Sequence, residues 1–140
     1  MIGLEASEHF TVLALADEGC IAGVQVYTSG SPGYVCADPH GIIRSALLVE
    51  ATGIILAHNH PSGYADPSAE DSKVWKSIKS GTMTVGITAI DSLVLGADEF
   101  YSEAAAGRCS YSDEGRKDCL GLYVHFRSQW QFRRGRIVSK

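Results

Sequence analysis

Three side chains in the middle of the sequence have the types and the spacing of a metal site. His58 and His60 follow an apolar run, and Asp71 lies eleven residues after His60. Alternate residues of an extended chain point to the same side, so the two imidazoles can face one point. Two histidines and one carboxylate leave the fourth position of a tetrahedral zinc ion open, as hydrolytic zinc sites require. The sequence therefore predicts zinc ligands at His58, His60 and Asp71.

Each part of this pattern also has a simpler interpretation. A His-x-His pair in a loop is more often exposed to solvent than bound to a metal. Ser68 and Asp71 have the spacing of a capping box, with Ser68 as the N-cap and Asp71 as the third residue of a helix. The complete pattern, H-x-H-x7-S-x2-D with the sequence PSG after the second histidine, is what favours the metal site.

The segment before the histidines is predicted to supply a hairpin, a helix and a buried strand. Residues 10–16 and 20–27 are two apolar runs separated by a turn, which is typical of a hairpin. Asp38-Pro39 has the composition of an N-cap and a first helical residue, and Gly53 is expected to end that helix. Residues 54–57 form a short apolar run, which predicts a strand that is buried on both faces.

The segment after the histidines continues the alternation of helices and strands. Residues 58–67 are rich in turn formers and predict a loop, and residues 69–79 have the periodicity of a helix. Residues 83–88 and 92–95 are predicted to be two further strands, and Phe100-Tyr101 is expected to end another. The alternation favours an α/β domain in which helices flank a mixed β-sheet.

These residues together resemble a known family. The sequence HNHPSG from His58, followed by Ser68 and Asp71, is similar to the RadC-like branch of the JAB/MPN metalloprotease domains, which carry the JAMM motif. The resemblance covers roughly residues 5–107 and implies a JAB/MPN-like (cytidine-deaminase-like) α/β fold. It divides the chain into a RadC-like domain, residues 1–107, and an extension outside the family pattern, residues 108–140.

The resemblance also implies a function. Members of this family are zinc metallohydrolases that cleave peptide or isopeptide bonds, so His58, His60 and Asp71 would hold zinc. Zinc-activated water would attack the carbonyl, and Ser68 would help to hold the oxyanion. RadC-like members also carry a historical DNA-repair label. The implied partner is a peptide or an isopeptide-linked protein, and a homodimer is an open alternative.

One departure from the family pattern concerns the general base. The resemblance places the family's catalytic Glu five residues before a Gly-[Ser/Thr] pair, here Gly30-Ser31, and this position is Gln25. An amide can hydrogen-bond to water but cannot accept its proton. Loss of a general base typically costs about 10²–10⁴ in rate. Glu18 could substitute only if the strand register shifts, so the sequence leaves open whether the domain is an active enzyme or an inactive metal-binding domain that recognises a protein.

Two further departures accompany Gln25. Ser92 stands where the family usually has a histidine after Asp91, which puts the surroundings of the zinc site in doubt. The chain is also expected to begin almost directly with the JAB-type domain, without the helical N-terminal region of full-length RadC-like proteins. Because two site positions differ from the family pattern, natural divergence is favoured over a single engineered substitution.

The C-terminal extension differs from the domain in charge. Residues 1–115 hold 15 acidic and 5 basic side chains, whereas residues 116–140 hold 1 acidic and 7 basic ones. Arginines interleaved with aromatic residues suit single-stranded nucleic acid, because rings stack on bases and guanidinium groups meet phosphates. The alternative is a strand pair that packs its aromatic side chains against the acidic domain. The residues that the nucleic-acid hypothesis assigns are Arg127, Trp130, Arg133, Arg134 and Arg136.

Composition excludes several other classes of protein. The chain has 140 residues, of which 45% are hydrophobic and 20% charged, as expected for one globular domain. No run approaches the roughly 20 apolar residues of a membrane span, and the first ten residues lack the basic start of a signal peptide. The four cysteines contain no CxxC pair. These features predict a reduced protein of the cytoplasm with no membrane partner.

Overall fold

A six-stranded mixed sheet with two helices forms the body of the protein. The computed structural model describes residues 8–17, 20–28, 37–110, 130–133 and 136–139. The elements of the body, in chain order, are β1 (His9–Leu15), β2 (Ile21–Thr28), α1 (Pro39–Leu48), β3 (Gly53–Asn59), α2 (Ala69–Thr84), β4 (Thr88–Leu95), β5 (Glu99–Ser102) and β6 (Gly107–Ser110). A separate antiparallel pair follows, β7 (Trp130–Arg133) and β8 (Arg136–Ser139). The predicted α/β class with a mixed sheet and flanking helices is confirmed.

The strands of the body follow the order β2-β1-β3-β4-β5-β6. Only the β3–β4 pair is parallel, and a parallel pair needs a crossover connection. α2 supplies this connection: its sixteen residues span about 24 Å, which matches the roughly 23 Å of the seven-residue β3. α2 runs back along the sheet to the start of β4, so its own first residues lie at the end of β3, near the two histidines.

The core lies between the sheet and the two helices. The register pairs Val12 with Leu56 and Ala14 with Ile54, so these side chains share one face of the sheet. Ile42 of α1 and other helix residues cover this face, which puts both helices on the same side. The members of this core cluster are Phe10, Val12, Ala14, Ala37, Ile42, Ala46, Ala51, Ile54, Leu56, Trp75, Ile78 and Ile87. The expected burial of residues 54–57 on both faces holds for Ile54, Ile55 and Leu56.

Both helices begin where the sequence predicts, but α1 ends differently. Asp38 caps α1 by accepting hydrogen bonds from the backbone N–H groups of His40 and Gly41 at 3.1 and 3.0 Å. The expectation that Gly53 ends this helix is wrong, since α1 ends at Leu48 and Glu50 takes the left-handed conformation with φ 54°. Gly53 begins β3, where a Cβ would come within 2.6 Å of the Ile90 side chain.

The predicted strand over residues 83–88 is also wrong. α2 continues to Thr84, and β4 is one strand from Thr88 to Leu95. The Thr82 hydroxyl donates to the Ile78 carbonyl at 2.8 Å, and the Thr82 side chain is fully buried. Burial and the length of the crossover override the strand preference of this β-branched run. Within the described residues, no helix is long and apolar enough to cross a membrane.

Candidate metal centre

Three ligand atoms converge at the end of β3 and the start of α2. The Nε2 atoms of His58 and His60 are 3.2 Å apart. Asp71 Oδ1 lies 3.1 Å from His58 Nε2, and Asp71 Oδ2 lies 3.2 Å from His60 Nε2. Within the described part of the chain, these three residues form the one group of three or more side chains that could hold a metal ion.

The donor set fits a tetrahedral zinc ion. Bonds of about 2.0–2.1 Å to zinc give ligand-to-ligand edges of about 3.3–3.4 Å in a tetrahedron, close to the 3.2 Å between the two Nε2 atoms. Each imidazole also lies close to a different oxygen of Asp71, and one ligand atom from each of the three residues lies within 4.8 Å of the others. Two neutral imidazole nitrogens at this distance repel each other unless a proton or a cation lies between them. The three residues would supply three of the four ligands of a tetrahedral zinc ion, which would leave the fourth position to water or substrate.

The start of α2 orients the carboxylate of Asp71. The Ser68 backbone N–H donates to Asp71 Oδ2 at 2.6 Å, and the Asp71 N–H donates to Ser68 Oγ at 3.1 Å. This reciprocal pair is a capping box, so the simpler interpretation of Ser68 and Asp71 is confirmed. The cap and the metal site are compatible, because the cap fixes the carboxylate that the two histidines approach.

Charge at the site is distributed between the carboxylate and the imidazoles. Burial alone would raise the pKa of Asp71, but hydrogen bonds from His58 and His60 hold it well below its usual range. The hydrogen bond to Asp71 raises the pKa of His60 above its ordinary value, although burial opposes this. Without a metal, therefore, Asp71 stays ionised and His60 holds a proton more readily than a free histidine.

Packing holds the Nδ1 side of the His58 ring, while Nε2 faces His60 and Asp71. The His58 side chain is only 2% exposed, and its ring stacks on Phe10 at a centroid distance of 5.7 Å. The Nδ1 atom of His58 has no hydrogen-bond partner among the described residues. Metal-bound histidines usually donate this second N–H to an acceptor. Phe10 of β1 pairs with His58 of β3 in the register. Its stacking therefore contributes to the orientation of the His58 ring.

Asn59, between the two histidines, fastens β3 to β1. Its side chain is fully buried, and its Oδ1 accepts a hydrogen bond from the His9 backbone N–H at 2.7 Å. Neighbouring residues of a strand point to opposite faces, so this contact lies on the side of the sheet away from the imidazoles. Asn59 fixes the end of β3 from one face while His58 and His60 are presented on the other.

The loop after His60 is held against the opposite half of the sheet. The Gly63 N–H donates to the His60 carbonyl, and the Ala97 N–H donates to the Gly63 carbonyl, both at 2.9 Å. Further along, Arg108 of β6 holds Asp66 through hydrogen bonds of 2.6 and 2.8 Å from Nη2 to the two carboxylate oxygens. These contacts set the path of the chain from β3 to the N-cap of α2. No pattern in the sequence predicts the Asp66–Arg108 pair.

Glu8 is a site residue that the sequence reasoning missed. The register of β1 and β3 ends with the pair Phe10 and His58. Glu8 directly precedes β1 and His60 directly follows β3, so both residues lie at the same end of the sheet. Glu8 is close enough to His60 to raise the pKa of that imidazole. The local alternation of Glu8, Phe10 and Val12 carries no signal for this proximity, because it does not show which strand lies beside β1.

The two positions that depart from the family pattern share one cross-strand row. Gln25 pairs with Val12, Val12 with Leu56, and Leu56 with Ser92. This row lies next to the one that holds His58. Gln25 lines a cavity beneath α1, and its Oε1 makes no hydrogen bond to any described residue. The role of Gln25 at the reacting water stays a prediction.

Ser92 and Asp91 take part in the sheet. Ser92 is buried, and its backbone N–H donates to Asp91 Oδ1 at 2.7 Å. Asp91 also accepts hydrogen bonds from the Ser102 hydroxyl at 2.7 Å and from the Ala104 N–H at 2.9 Å. Asp91 therefore fixes the turn between β5 and β6, which carries no metal ligand.

The structure describes no side chain of the five residues to which nucleic-acid binding is assigned. Arg127 and Arg134 lie outside the described residues. Trp130 and Arg133 belong to β7 and Arg136 to β8, where only the backbone is described. The nucleic-acid hypothesis for the extension therefore stays a prediction from the sequence.

Comparison with known proteins agrees with the geometry of the site. A family model described as the RadC-like JAB domain matches residues 1–108. The chain belongs to this family. The resemblance inferred from the histidines, Ser68 and Asp71 is thereby confirmed.

Curated relatives of this RadC-like domain are longer proteins. A UPF0758 protein of Acaryochloris marina is 38% identical over 98 residues, which are 70% of this chain and 40% of that protein. A UPF0758 protein of Streptococcus gordonii is 38% identical over 95 residues, 68% of this chain and 42% of that protein. A UPF0758 protein of Burkholderia vietnamiensis is 34% identical over 106 residues, which are 76% of this chain and 41% of that protein. The chain thus spans about two fifths of the length of these relatives.

The loop of the RadC-like domain should depend on the absence of a side chain at Gly96. A Cβ there would come within 2.7 Å of the Gly63 carbonyl oxygen and 2.9 Å of that of Glu99. We expect Gly96→Ala to lower the free energy of unfolding by about 1–3 kcal/mol, as overpacking typically does, and to weaken zinc binding. Denaturant unfolding of the variant measures the first effect. Gly107→Ala is the control, because a Cβ there stays 4.0 Å from the nearest atom; equal stability of the two variants would contradict the prediction.

Zinc binding to the RadC-like domain should weaken as the pH falls. Zinc must displace the proton that the raised pKa of His60 retains, whereas Asp71 stays ionised and displaces none. Affinity should level off above the pKa of His60 and fall below it by about tenfold per pH unit for each proton displaced. Competition with a chromophoric chelator between pH 8 and pH 5.5 measures this slope. His40→Ala, at the exposed start of α1, should leave the slope unchanged, and an affinity independent of pH would contradict the assignment.

Proposed function

We propose that this RadC-like domain is a zinc-dependent hydrolase of peptide or isopeptide bonds. The observation that carries the proposal is the convergence of the His58 and His60 imidazoles on the Asp71 carboxylate, with N···N and N···O distances of 3.1 and 3.2 Å. When bound, zinc would supply a polarised carbonyl and a water that ionises near neutral pH. Membership of the JAB family supports this chemistry.

Access to the proposed centre comes from one side. The side chains of His60 and Asp71 are each 19% exposed, whereas that of His58 is 2% exposed. A substrate would therefore approach over the His60 and Asp71 side, with the stacked rings of His58 and Phe10 forming the closed wall. A partly enclosed site strengthens electrostatic interactions with a developing oxyanion.

Glu8 is the general base in this proposal and accepts the proton of the attacking water. Glu8 directly precedes β1, and its charge is close enough to His60 to contribute to the raised pKa of that imidazole. A carboxylate can accept a proton in the step for which Gln25 would be inert. The chain then needs no base at position 25, and the absence of a carboxylate there does not by itself remove activity.

Ser68 is proposed to hold the oxyanion. Its Oγ accepts the Asp71 N–H at 3.1 Å, and its hydroxyl hydrogen, which bonds to the Asp71 carboxylate, would have to turn to the oxyanion to donate to it. Its position at the N-terminus of α2 adds the favourable end of the helix dipole for negative charge. The same residue thus caps the helix and offers a donor near the zinc ligands.

A second candidate is an inactive metal-binding domain that recognises a protein. Gln25 favours it, because the resemblance puts the catalytic Glu of active members at this position. The two candidates share the zinc site and differ in whether a proton acceptor works there. Glu8 and Gln25 are therefore the residues that separate them.

Activity should depend on the carboxylate of Glu8. We expect Glu8→Gln to lower the rate of peptide hydrolysis by about 10²–10⁴ while zinc content stays unchanged, because Glu8 is not among the ligands. The measurement is turnover of a quenched-fluorescence peptide and isopeptide panel by the zinc-loaded protein, with metal content determined by mass spectrometry. Glu50→Gln, in the left-handed residue beyond α1, is the charge-matched control.

Gln25→Glu completes the comparison. If Glu8 is the base, this variant keeps the activity of the parent protein; a large gain with Gln25→Glu would move the base to position 25. Hydrolysis that survives Glu8→Gln contradicts the assignment of Glu8. Absence of turnover in the parent protein and in Gln25→Glu, with zinc bound in both, would favour the inactive binding domain.

A further inference from the structure

A tyrosine close to the metal ligands is largely exposed to solvent. Tyr64 lies four residues after His60 and is 73% exposed, whereas the next residue, Ala65, is only 1% exposed. A single exposed aromatic residue on a protein surface needs no explanation by itself. The position of Tyr64 differs from an ordinary surface position, because the loop that carries it joins the candidate ligands His60 and Asp71.

The backbone of Tyr64 is tied directly to one of these ligands. The Tyr64 carbonyl accepts a hydrogen bond from the His60 imidazole. Because Nε2 of His60 faces the other two ligands, the donor is the N–H at Nδ1. Metal-bound histidines usually donate this second N–H to a carbonyl or a carboxylate. Tyr64 is therefore separated from the candidate centre by one imidazole ring and one hydrogen bond.

The residues on either side of Tyr64 pack closely against the turn after β4. The Gly63 carbonyl accepts the Ala97 N–H at 2.9 Å. A Cβ at Gly96 would come within 2.7 Å of the Gly63 carbonyl oxygen and 3.1 Å of the Ala65 nitrogen. Recognition by a pre-organised segment loses less conformational entropy than recognition by a free loop. The fixed backbone therefore suits the exposed Tyr64 ring to contact a molecule that is bound at the metal centre.

Acidic side chains outnumber basic ones around this loop. The segments 61–73 and 96–108, which contain the loop and the residues that hold it, have six acidic and two basic side chains. Both basic side chains already form ion pairs with acidic neighbours, at 3.4 and 2.6 Å. Glu8 adds a further negative charge close to His60. This excess is larger than the two positive charges of a zinc ion, so the surface around Tyr64 favours a cationic ligand.

We propose that Tyr64 binds a cationic side chain, an arginine or a lysine, in the substrate residue next to the scissile bond. A guanidinium or ammonium group within about 6 Å of the centroid of an aromatic ring is attracted to the face of that ring, and the surrounding carboxylates add to this attraction. The inference rests on the proposed function, because it names the substrate class of the same centre. Recognition by Tyr64 does not itself require hydrolysis.

Zinc-directed ligands test this recognition without a cleavage step. Hydroxamates bind zinc through two oxygen atoms, and they can carry a guanidinium, a butyl or a carboxylate group on a chain attached to the carbonyl side or to the nitrogen side. Calorimetric titration of the zinc-loaded full chain measures their dissociation constants. On at least one side, we expect the guanidinium ligand to bind most tightly and the carboxylate ligand to bind most weakly.

Substitutions at Tyr64 separate the effect of the ring from that of the surrounding charge. Tyr64→Ala should reduce the preference for the guanidinium ligand over the butyl ligand by about two- to fivefold, the range of a cation–π contact at an exposed site. Tyr64→Phe keeps the aromatic face and should retain the preference. Met83→Ala is the matched control and should leave the preference unchanged, because Met83 is 75% exposed and lies at the opposite end of α2.

The outcomes distinguish this inference from the hydrolase proposal. Equal guanidinium preference in the parent protein and in Tyr64→Ala, or tightest binding of the butyl ligand on both sides, overturns the role of Tyr64 and leaves the zinc site intact. A preference that depends on Tyr64, without cleavage of any arginine- or lysine-containing peptide, supports the inference and contradicts the hydrolase. Peptide cleavage that ignores the charge of the flanking residue does the reverse. Binding of no hydroxamate to the zinc-loaded protein overturns both.

Discussion

Two imidazole nitrogens and a carboxylate oxygen cannot be held about 3.2 Å apart without a framework that opposes their mutual repulsion and their conformational freedom. Here one strand positions both histidines, since His58 lies at the end of β3 and His60 directly follows that strand. β3 is in turn fixed by its position between β1 and β4. The chemistry of the centre therefore depends on the register of the central strands, and a slip of one residue would turn both rings to the other face.

The third ligand comes from a different element, and its position is set by helix capping. Asp71 is the third residue of α2, and the capping box with Ser68 fixes its carboxylate through the Ser68 N–H at 2.6 Å. Capping by a Ser side chain is typically worth about 1 kcal/mol to a helix. At this site the same hydrogen bonds also orient a ligand. The cap of α2 and the orientation of the Asp71 carboxylate therefore depend on the same pair of hydrogen bonds.

The sequence predicted the centre better than it predicted its surroundings. Ligand spacing, the capping box and both helix starts depend on contacts over a few residues, and all are visible as short patterns. The end of α2 depends on Thr82 being buried between α2 and the sheet, and the fixing of the loop depends on Asp66 meeting Arg108, 42 residues away. Pairings at such distances follow from topology, which local periodicity does not contain. Glu8 was missed for the same reason, since only the β1–β3 register relates it to His60.

The two edge strands of the described six-stranded sheet differ in charge. At the β6 edge, Arg108 forms ion pairs with Asp66 and Glu99 at 2.6 and 3.2 Å, so charge occupies that edge and also holds the loop from the metal centre. At the β2 edge, the described strand carries no charge and borders a cavity with an unsatisfied amide oxygen. An edge of this kind carries a continuing risk of unwanted strand pairing.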